Sequence, residues 1–324
     1  MSFSLEKERY RSKVREVVLG ATKEDGGTRS HTITVGGEST LPYQHYEGDM
    51  PNIPVVGMEV WDIVPEGWED ELKEQFSDVL DNPAEWAKKN VNEYNAEFIC
   101  LRLQGAHPDE GDKSPEDCVK VVKEVLEAVD VPVMIYGCRN EEKDNQVIPK
   151  VAEETSGENL LLGVTEEENY KSIAAACMVH SHTVIAKSPI DINICKQLNI
   201  LINEMGLDTS KIIIDPTIAA LGYGIEYGYS IMERARMGAL QGDNMLAMPM
   251  IGMIGEEAWR AKETKAPESD FPGWGEQKTR SILWEAVTAS ALIQGGLDIL
   301  VMRHPKAVEM AKENIEELMQ DNSY

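Results

Sequence analysis

Four cationic side chains stand directly or shortly after apolar runs that have the length of buried strands. They are Arg102, Arg139, Lys187 and Arg303. In a parallel barrel the carboxyl ends of all strands share one face, so this set would gather at one mouth and attract an anionic or amide-bearing ligand. The alternative, in which each arginine holds a neighbouring loop carboxylate, stays open for every single residue. Taken together, the four cations favour a ligand-binding role over a purely structural one.

A glycine- and tyrosine-rich stretch follows one of these runs and predicts a binding loop. Its candidate residues are Gly222, Tyr223, Gly224 and Tyr227. The glycines would let the backbone approach a ligand closely, and the tyrosines would offer flat rings and hydroxyl groups. Asp215, at the end of the run, either orients a ligand amide or forms the turn before Pro216. Both interpretations of Asp215 stay open.

Gln104, Asn140 and His304 complete the candidate binding set on this face. His304 precedes a proline that opens the last predicted helix, so a helix-capping role competes with ligand binding and is favoured. His180 and His182 lie at the opposite, amino-terminal side, where we expect them on the surface. The sequence contains no nucleotide-binding loop, zinc-protease motif or esterase motif. We therefore predict neither catalytic residues nor a metal site.

The elements that must position these residues alternate regularly from residue 55 onward. Predicted strands cover residues 55–60, 98–101, 133–136, 160–164, 183–186, 212–214, 245–248 and 299–302. Eight strands separated by helical patterns predict an α/β fold, a (β/α)8 TIM barrel, more than an open sheet. Ser114 and Ser188, each followed by proline, are predicted N-caps of two of the helices.

The first fifty or so residues do not fit this rhythm. Segments 16–19 and 32–35 predict a β-hairpin that closes one end of the fold. The chain is therefore divided into an N-terminal extension over residues 1–54 and a barrel over residues 55–324. A stretch at about residues 250–278, rich in proline and glycine, predicts an insertion after the seventh strand, on the face that usually serves binding.

Composition excludes several classes of function. With 31 Lys and Arg against 57 Asp and Glu, the net charge of −26 argues against nucleic acid and anionic membranes as partners. The sequence shows neither a signal peptide nor an apolar run long enough to span a membrane, so we expect a cytoplasmic protein. Five cysteines without a Cys-x-x-Cys pair predict neither a disulfide framework nor a self-contained iron–sulfur cluster.

Several segments together resemble the small, delta-type subunit of the corrinoid iron–sulfur protein of the reductive acetyl-CoA pathway. The matching segments are GATK (20–23), GGTRSHT (26–32), GMEV (57–60), SPIDINICKQ (188–197), IDP (214–216), LGYGIEY (221–227), SIMER (230–234) and MRHP (302–305). They are spread over nearly the whole chain, and the longer ones make the resemblance specific.

The resemblance implies a barrel subunit that pairs with a large subunit. The large subunit would hold the iron–sulfur cluster and most contacts to a corrinoid (cobamide), and this chain would help to enclose the cofactor at the interface. The resemblance also implies two enzymes as further partners, a methyltetrahydrofolate methyltransferase that supplies the methyl group and acetyl-CoA synthase that receives it. In this interpretation the cofactor does the chemistry and the chain is not catalytic alone.

The barrel of this family also resembles pterin-binding methyltransferases. The alternative function is therefore a barrel methyltransferase that binds methyltetrahydrofolate itself, with Asp62 and Asp215 on the pterin ring. A third class, suggested by the mouth cations alone, is a barrel acting on a small phosphorylated or carboxylated substrate.

Overall fold

Apolar segments of the chain pair in parallel and close into a barrel. A computed structural model describes residues 6–320, with strands β1 (Val17–Leu19), β2 (Ile33–Val35), β3 (Val55–Trp61), β4 (Ile99–Arg102), β5 (Val133–Tyr136), β6 (Leu161–Thr165), β7 (Thr183–Lys187), β8 (Ile212–Asp215), β9 (Ile251–Gly252) and β10 (Ile299–Met302). The main sheet has the order β8-β7-β6-β5-β4-β3-β10-β9. The predicted (β/α)8 TIM barrel is confirmed.

Helices pack around the outside of this barrel. They are α1 (Asp70–Gln75), α2 (Pro83–Asn92), α3 (Pro115–Ala128), α4 (Glu141–Glu154), α5 (Tyr170–His180), α6 (Ile192–Glu204), α7 (Ile225–Leu240), α8 (Ile254–Arg260), α9 (Lys262–Lys265), α10 (Gln277–Gln294) and α11 (Pro305–Leu318). The apolar stripe of α3, with Cys118, Val122 and Val125, is buried against the sheet. Within residues 6–320, no helix combines the length and apolar character that a membrane crossing requires.

Alternate residues of β3 point to opposite sides of the barrel wall. Val56 and Met58 pack with residues of the outer helices, whereas Gly57 and Glu59 face the interior. Glycine is required at position 57 because a Cβ there would lie 2.4 Å from the ring of Phe98. The interior is therefore tightly packed near its amino-terminal end and carries a charged residue, Glu59, near its mouth.

The N-terminal hairpin closes the amino-terminal end of the barrel, as the sequence predicts. β1 and β2 pair antiparallel, with Val17 opposite Val35. Both valines belong to one buried cluster with Phe98 and the other residues that line the barrel interior. The Asn159 side chain, just before β6, donates to the carbonyl oxygen of Val18 at 2.7 Å and holds the hairpin in place. The mouth of the barrel therefore lies at the opposite end.

The seventh barrel strand lies later in the chain than the sequence predicts. The predicted segment, residues 245–248, has no strand: it begins in a turn over residues 244–246, in which the amide of Leu246 donates to the carbonyl oxygen of Asp243 at 3.1 Å, and continues irregularly. The strand β9 follows Pro249 and is only two residues long. A bridge between Ile214 and Met250 joins this segment to β8 and closes the ring. The prediction for this strand was wrong because Met, Leu and Ala suit a buried turn as well as a strand.

The division of the chain at residues 54 and 55 stays a prediction. The insertion predicted at about 250–278 contains β9 itself, so the inserted part is shorter than predicted and comprises α8, α9 and the turns that precede α10. It does lie on the mouth side, directly after the seventh strand, as expected.

One of the two predicted N-caps is correct. Ser114 caps α3 and forms a reciprocal capping box with Asp117. The prediction that Ser188 is an N-cap was wrong, because the N-cap of α6 is Asp191, three residues later. There the carboxylate of Asp191 accepts hydrogen bonds from the amides of Asn193 and Ile194, at 2.7 and 3.3 Å. A carboxylate at this position outcompetes the more distant hydroxyl as the cap.

His182 is buried, so its predicted surface position was wrong. Its Nδ1 accepts from the amide of Leu160 at 3.0 Å, and its Nε2 lies 2.9 Å from the carbonyl oxygen of Ala152. Burial lowers the pKa of His182 to about 4, so the ring is neutral near pH 7. Its role is to satisfy two backbone groups next to the start of β7.

Arg236 of α7 connects the N-terminal extension to the barrel. It donates to Glu38 at 3.0 Å and to Asp298, just before β10, at 2.9 Å. All three side chains are buried. Burial raises the pKa of Asp298 well above its usual value even though Arg236 opposes the shift. One guanidinium group therefore serves two carboxyl groups from distant parts of the chain.

Replacing Arg236 with Ala should destabilise the protein by about 3–5 kcal/mol, because two buried carboxyl groups lose their cation. Urea unfolding followed by circular dichroism would measure the change. Arg234→Ala, at an exposed position of the same helix, is the matched control and should change the stability by less than about 0.5 kcal/mol. Equal effects of both variants would contradict this role of Arg236.

Candidate functional site

The mouth of the barrel is built around Glu59, which faces inward from β3. Its two carboxylate oxygens accept from Arg102 at the end of β4 and from Arg303 just after β10, each at 2.5 Å. Glu59 and Arg102 are almost completely buried, with 1% and 2% of their surface exposed. One carboxylate therefore ties together the ends of three neighbouring strands.

A second carboxylate, Glu256, enters the mouth from the insertion. It lies on α8, where one of its oxygens accepts from the buried Arg102 and the other from Arg139, which follows β5. The Arg139 side chain is 41% exposed, so this ion pair reaches the solvent-facing part of the mouth. The insertion is thus fixed to the barrel by charge as well as by packing.

Aromatic rings support the arginines. The guanidinium group of Arg102 lies 4.5 Å from the ring centroid of Tyr136, and that of Arg303 lies 4.7 Å from the ring of Trp68. Trp61, at the end of β3, is within 6 Å of both groups. At these distances the rings attract the cations and help to fix the positions of both guanidinium groups.

The electrostatic consequences follow from burial and pairing. Burial alone would raise the pKa of Glu59, but Arg102 and Arg303 outweigh it and keep the pKa below its usual value. The pKa of Glu256 falls to about 2 because Arg102 and Arg139 outweigh the effect of burial there too. Both carboxylates are therefore ionised throughout the physiological pH range.

The backbone around Arg139 is held in an unusual conformation. Arg139 has a φ of +70°, a left-handed value that is uncommon for a residue with a side chain. The buried carboxylate of Asp144 accepts from the amides of Cys138 and Arg139, at 2.8 and 2.9 Å. Gly137 leaves room for this carboxylate, since a Cβ there would lie 2.5 Å from it. The loop thus aims Arg139 at Glu256.

A further buried carboxylate fixes the backbone after β10. Glu285 of α10 accepts from the amides of Arg303 and His304, at 2.6 and 3.1 Å, and from the indole nitrogen of Trp259 at 2.7 Å. Burial raises the pKa of Glu285, although these donors oppose the shift. The same side chain therefore positions a mouth arginine and an aromatic residue of α8.

Above this network lies a cavity of about 770 Å³ that opens to solvent. Its walls include three indole rings, four arginines and several polar residues: Trp61, Trp68, Trp259, Arg102, Arg139, Arg260, Arg303, Gln104, His107, Cys138, Glu256 and Lys265. The indole N–H groups of Trp61 and Trp68 are buried and have no acceptor among residues 6–320. Orphaned donors of this kind fit a ligand that carries amide or carbonyl groups.

A much smaller chamber of about 40 Å³ lies on the other side of the Glu256–Arg139 pair. It is lined by Tyr136, Arg139, Lys187, Asp215, Thr217, Ile218, Met253, Glu256 and Glu257. Burial raises the pKa of Asp215 to about 6, although Lys187 opposes the shift. The Asp215 carboxylate accepts from the amide of Thr217 at 2.9 Å and so also forms the turn that the sequence suggested.

The structure brings together only part of the predicted site. Arg102, Gln104, Arg139 and Arg303 line the large cavity. Lys187 and Asp215 line the small chamber, and Lys187 also pairs with Glu166 at 3.3 Å. The arginines follow both interpretations left open by the sequence, because they are paired with carboxylates and also face the cavity.

The remaining predicted residues lie outside the walls of both spaces. Asn140 caps α4 and His304 caps α11, each through a side-chain acceptor. Tyr223 and Tyr227 are each 64% exposed on the outer rim. Gly222 packs against Trp284, and both Gly222 and Gly224 have positive φ angles that the turn into α7 requires. A binding role of these residues stays a prediction.

The sequence reasoning missed Glu59 and Glu256. Glu59 carries a signal that could have been read, because a carboxylate inside an otherwise apolar strand at an inward-facing position needs a cationic partner. Glu256 carries no such signal, because it lies in an insertion whose path over the mouth depends on tertiary contacts.

In its fold the chain is similar to dihydropteroate synthases. The enzyme of Xanthomonas albilineans, solved with 4-aminobenzoic acid, superimposes with a TM-score of 0.55 at 12% identity, covering 83% of this chain and 93% of that one. The Coxiella burnetii enzyme in complex with pteroic acid has a TM-score of 0.54 at 11% identity, covering 94% and 100%. These likenesses define the class of protein, a TIM barrel of this type, and at such low identity they show the fold alone.

Sequence comparison defines the family. Residues 16–321 match the CO dehydrogenase/acetyl-CoA synthase delta subunit. The acetyl-CoA decarbonylase/synthase complex subunit delta of Archaeoglobus fulgidus is 38% identical over 312 residues, which are 95% of this chain and 69% of that protein. The corresponding subunit of Methanocaldococcus jannaschii is 37% identical, over 94% of this chain and 74% of that protein. The chain therefore belongs to the CO dehydrogenase/acetyl-CoA synthase delta subunit family, which confirms the resemblance seen in the sequence.

Replacing Glu59 with Gln should destabilise the protein by about 3–5 kcal/mol at pH 7, because two buried guanidinium groups then share a neutral partner. The pKa of Glu59 is lowered in the folded protein, so its contribution is fully present above about pH 5 and is lost as the pH falls through the folded-state value. The difference in unfolding free energy between wild type and variant, measured by urea unfolding, should therefore become smaller as the pH is lowered. Glu66→Gln, exposed on the same cavity wall, is the control.

Proposed function

We propose that this chain is the non-catalytic barrel subunit of a heterodimeric corrinoid methyl carrier. Its mouth would enclose a cobamide together with a large subunit that also holds an iron–sulfur cluster. The methyl group would come from methyltetrahydrofolate through a methyltransferase and pass to acetyl-CoA synthase. Membership of the family and the relatives' description as subunits of an acetyl-CoA decarbonylase/synthase complex support a place in this pathway. We also propose that the protein is cytoplasmic.

The observation that carries the proposal is the large cavity at the mouth. A corrin is broad, has largely apolar faces and is fringed with amide groups, so it suits a wall of indole rings interrupted by donors. Trp61 and Trp68 would contact a face, while their orphaned N–H groups and the side chain of Gln104 would meet amides. When bound, the cofactor would supply the metal centre that carries the methyl group.

The size of the cavity supports a shared site. A complete cobamide is larger than about 770 Å³, so part of it would extend beyond the rim toward a second subunit. The role of this chain is then to orient the ring and to exclude water from one side of it. The buried Glu59 network keeps the supporting arginines rigid, so these contacts need no rearrangement when the cofactor docks.

The geometry does not favour the alternative, direct binding of methyltetrahydrofolate. The chamber beside Asp215 measures about 40 Å³, far below the roughly 300 Å³ at which ligand pockets begin. Asp62, the other predicted pterin ligand, accepts from the amide of Gly105 at 2.7 Å and pairs with Lys113 at 3.0 Å. Both carboxylates are already engaged in the protein's own structure.

Co-expression with the large subunit tests the proposal. The heterodimer should purify with the absorbance spectrum of a corrinoid, whereas the isolated chain should be colourless, should not bind methyltetrahydrofolate and should not methylate added cobalamin. Methylation of cobalamin by the isolated chain would establish the alternative. A structure of the heterodimer in which the mouth faces bulk water, far from the cofactor, would end the proposal.

The rim tyrosines give a second test. The double replacement of Tyr223 and Tyr227 with Ala should weaken retention of the cobamide by the heterodimer by about tenfold, because two exposed rings that would cover the cofactor or its docking surface are lost. Dialysis followed by absorbance would measure the retention. Tyr46→Ala, 44% exposed and outside the mouth cavity, is the control. Unchanged retention would assign the tyrosine loop to structure only.

A further inference from the structure

We propose that the mouth arginines form a binding site for a carboxylate and that Glu256 fills this site as an internal ligand. Its two oxygens are divided between Arg102 and Arg139, which come from two different strand ends. This is the arrangement in which two guanidinium groups recognise the carboxylate of a bound molecule. A carboxylate from outside would compete with Glu256 for the same donors.

Charge balance shows why the site cannot simply be empty. Without Glu256, Arg139 would have no ion-pair partner among residues 6–320, and Arg102 would have only Glu59, which it shares with Arg303. Arg102 is only 2% exposed, so water cannot solvate it in place of the lost partner. A state in which Glu256 has moved away is therefore favoured only when another anion takes its place. This requirement gives the site its selectivity for anionic groups.

The position of Glu256 makes such an exchange possible. It lies on α8, a helix of seven residues within the insertion, and not on the barrel wall. Arg139, the more exposed of its two partners, borders the large cavity, from which a ligand would arrive. Glu256 and Arg139 line both the large cavity and the small chamber, so their separation would also join the two spaces.

The geometry favours a small molecule with one carboxylate group. The two guanidinium groups each hold one oxygen of a planar carboxylate, and the neighbouring indole rings of Trp61 and Trp259 would contact an attached apolar group. This ligand class differs from the amide-fringed corrin and does not depend on it. The inference can therefore be tested on the isolated chain, without the cofactor or a partner.

Chemical rescue is the direct experiment. In Glu256→Ala the site loses its internal ligand, so sodium acetate at about 100 mM should raise the melting temperature by about 3 °C over sodium chloride of equal ionic strength. Glu257→Ala, which removes the next carboxylate of the same helix, should show no such difference. Glu257 lines the small chamber and pairs with Arg260 at 3.0 Å, but it holds neither Arg102 nor Arg139. The half-saturating acetate concentration should be about tenfold lower for Glu256→Ala than for wild type.

The outcomes are distinct. No acetate effect in Glu256→Ala, or an equal effect in both variants, would overturn the proposal. Stabilisation by inorganic phosphate but not by acetate would overturn the assignment to a carboxylate. Glu256→Ser, which keeps a small polar group beside the guanidinium groups, is the second variant and should respond to acetate in the same way.

Wild-type protein provides a measurement that does not depend on any variant folding. Cys138 precedes Arg139, lines the large cavity and is only 1% exposed, and burial raises its pKa to about 12. Displacement of Glu256 would free the Arg139 loop, so acetate should increase the labelling rate of Cys138 severalfold over chloride. Mass spectrometry would identify the labelled peptide, with the buried Cys118 as internal reference. An unchanged rate for Cys138 would contradict exchange at this site.

Discussion

The mouth of this barrel depends on one buried carboxylate shared between two arginines. Glu59 holds Arg102 and Arg303 at equal distances, and through Arg102 it is linked to Glu256 and Arg139. A buried arrangement of this kind is costly unless every charge has its partner, so each member fixes the position of the next. The rigid cavity wall, the docked insertion and the separation of two cavities all follow from this pairing.

The fold could be predicted from sequence because it rests on local patterns. Runs such as residues 133–136 and 299–302 have the length and composition of buried parallel strands, and the structure places strands there with the same bounds. The prediction of the seventh strand failed because the apolar residues chosen for it lie in the turn region before Pro249. The strand β9 itself has only two residues, too few to show a pattern in the sequence. Short strands held mainly by their neighbours leave little trace in a sequence.

The candidate site was predictable only in part. The sequence positions of Arg102, Arg139 and Arg303 correctly predicted that they lie at one mouth, because residues that follow the strands of a barrel share one face. The partner Glu256 was not predictable, since it reaches Arg102 and Arg139 from a segment more than a hundred residues away in sequence. The glycines on either side of Tyr223 show why residue type alone is ambiguous, because positive φ angles in a turn account for them whether or not a ligand binds.

The short strand β9 makes the barrel wall uneven around its circumference. It is joined to β8 through the Ile214–Met250 bridge, next to a hydrogen bond from the amide of Ile214 to the carbonyl oxygen of Pro249 at 2.9 Å. Within the barrel wall, this joint has fewer paired residues than the neighbouring joint between β7 and β8, so we expect its backbone amides to exchange with deuterium earlier than those of that neighbour. The segment that follows it carries α8, so the mouth can rearrange at this seam while the longer strands remain intact.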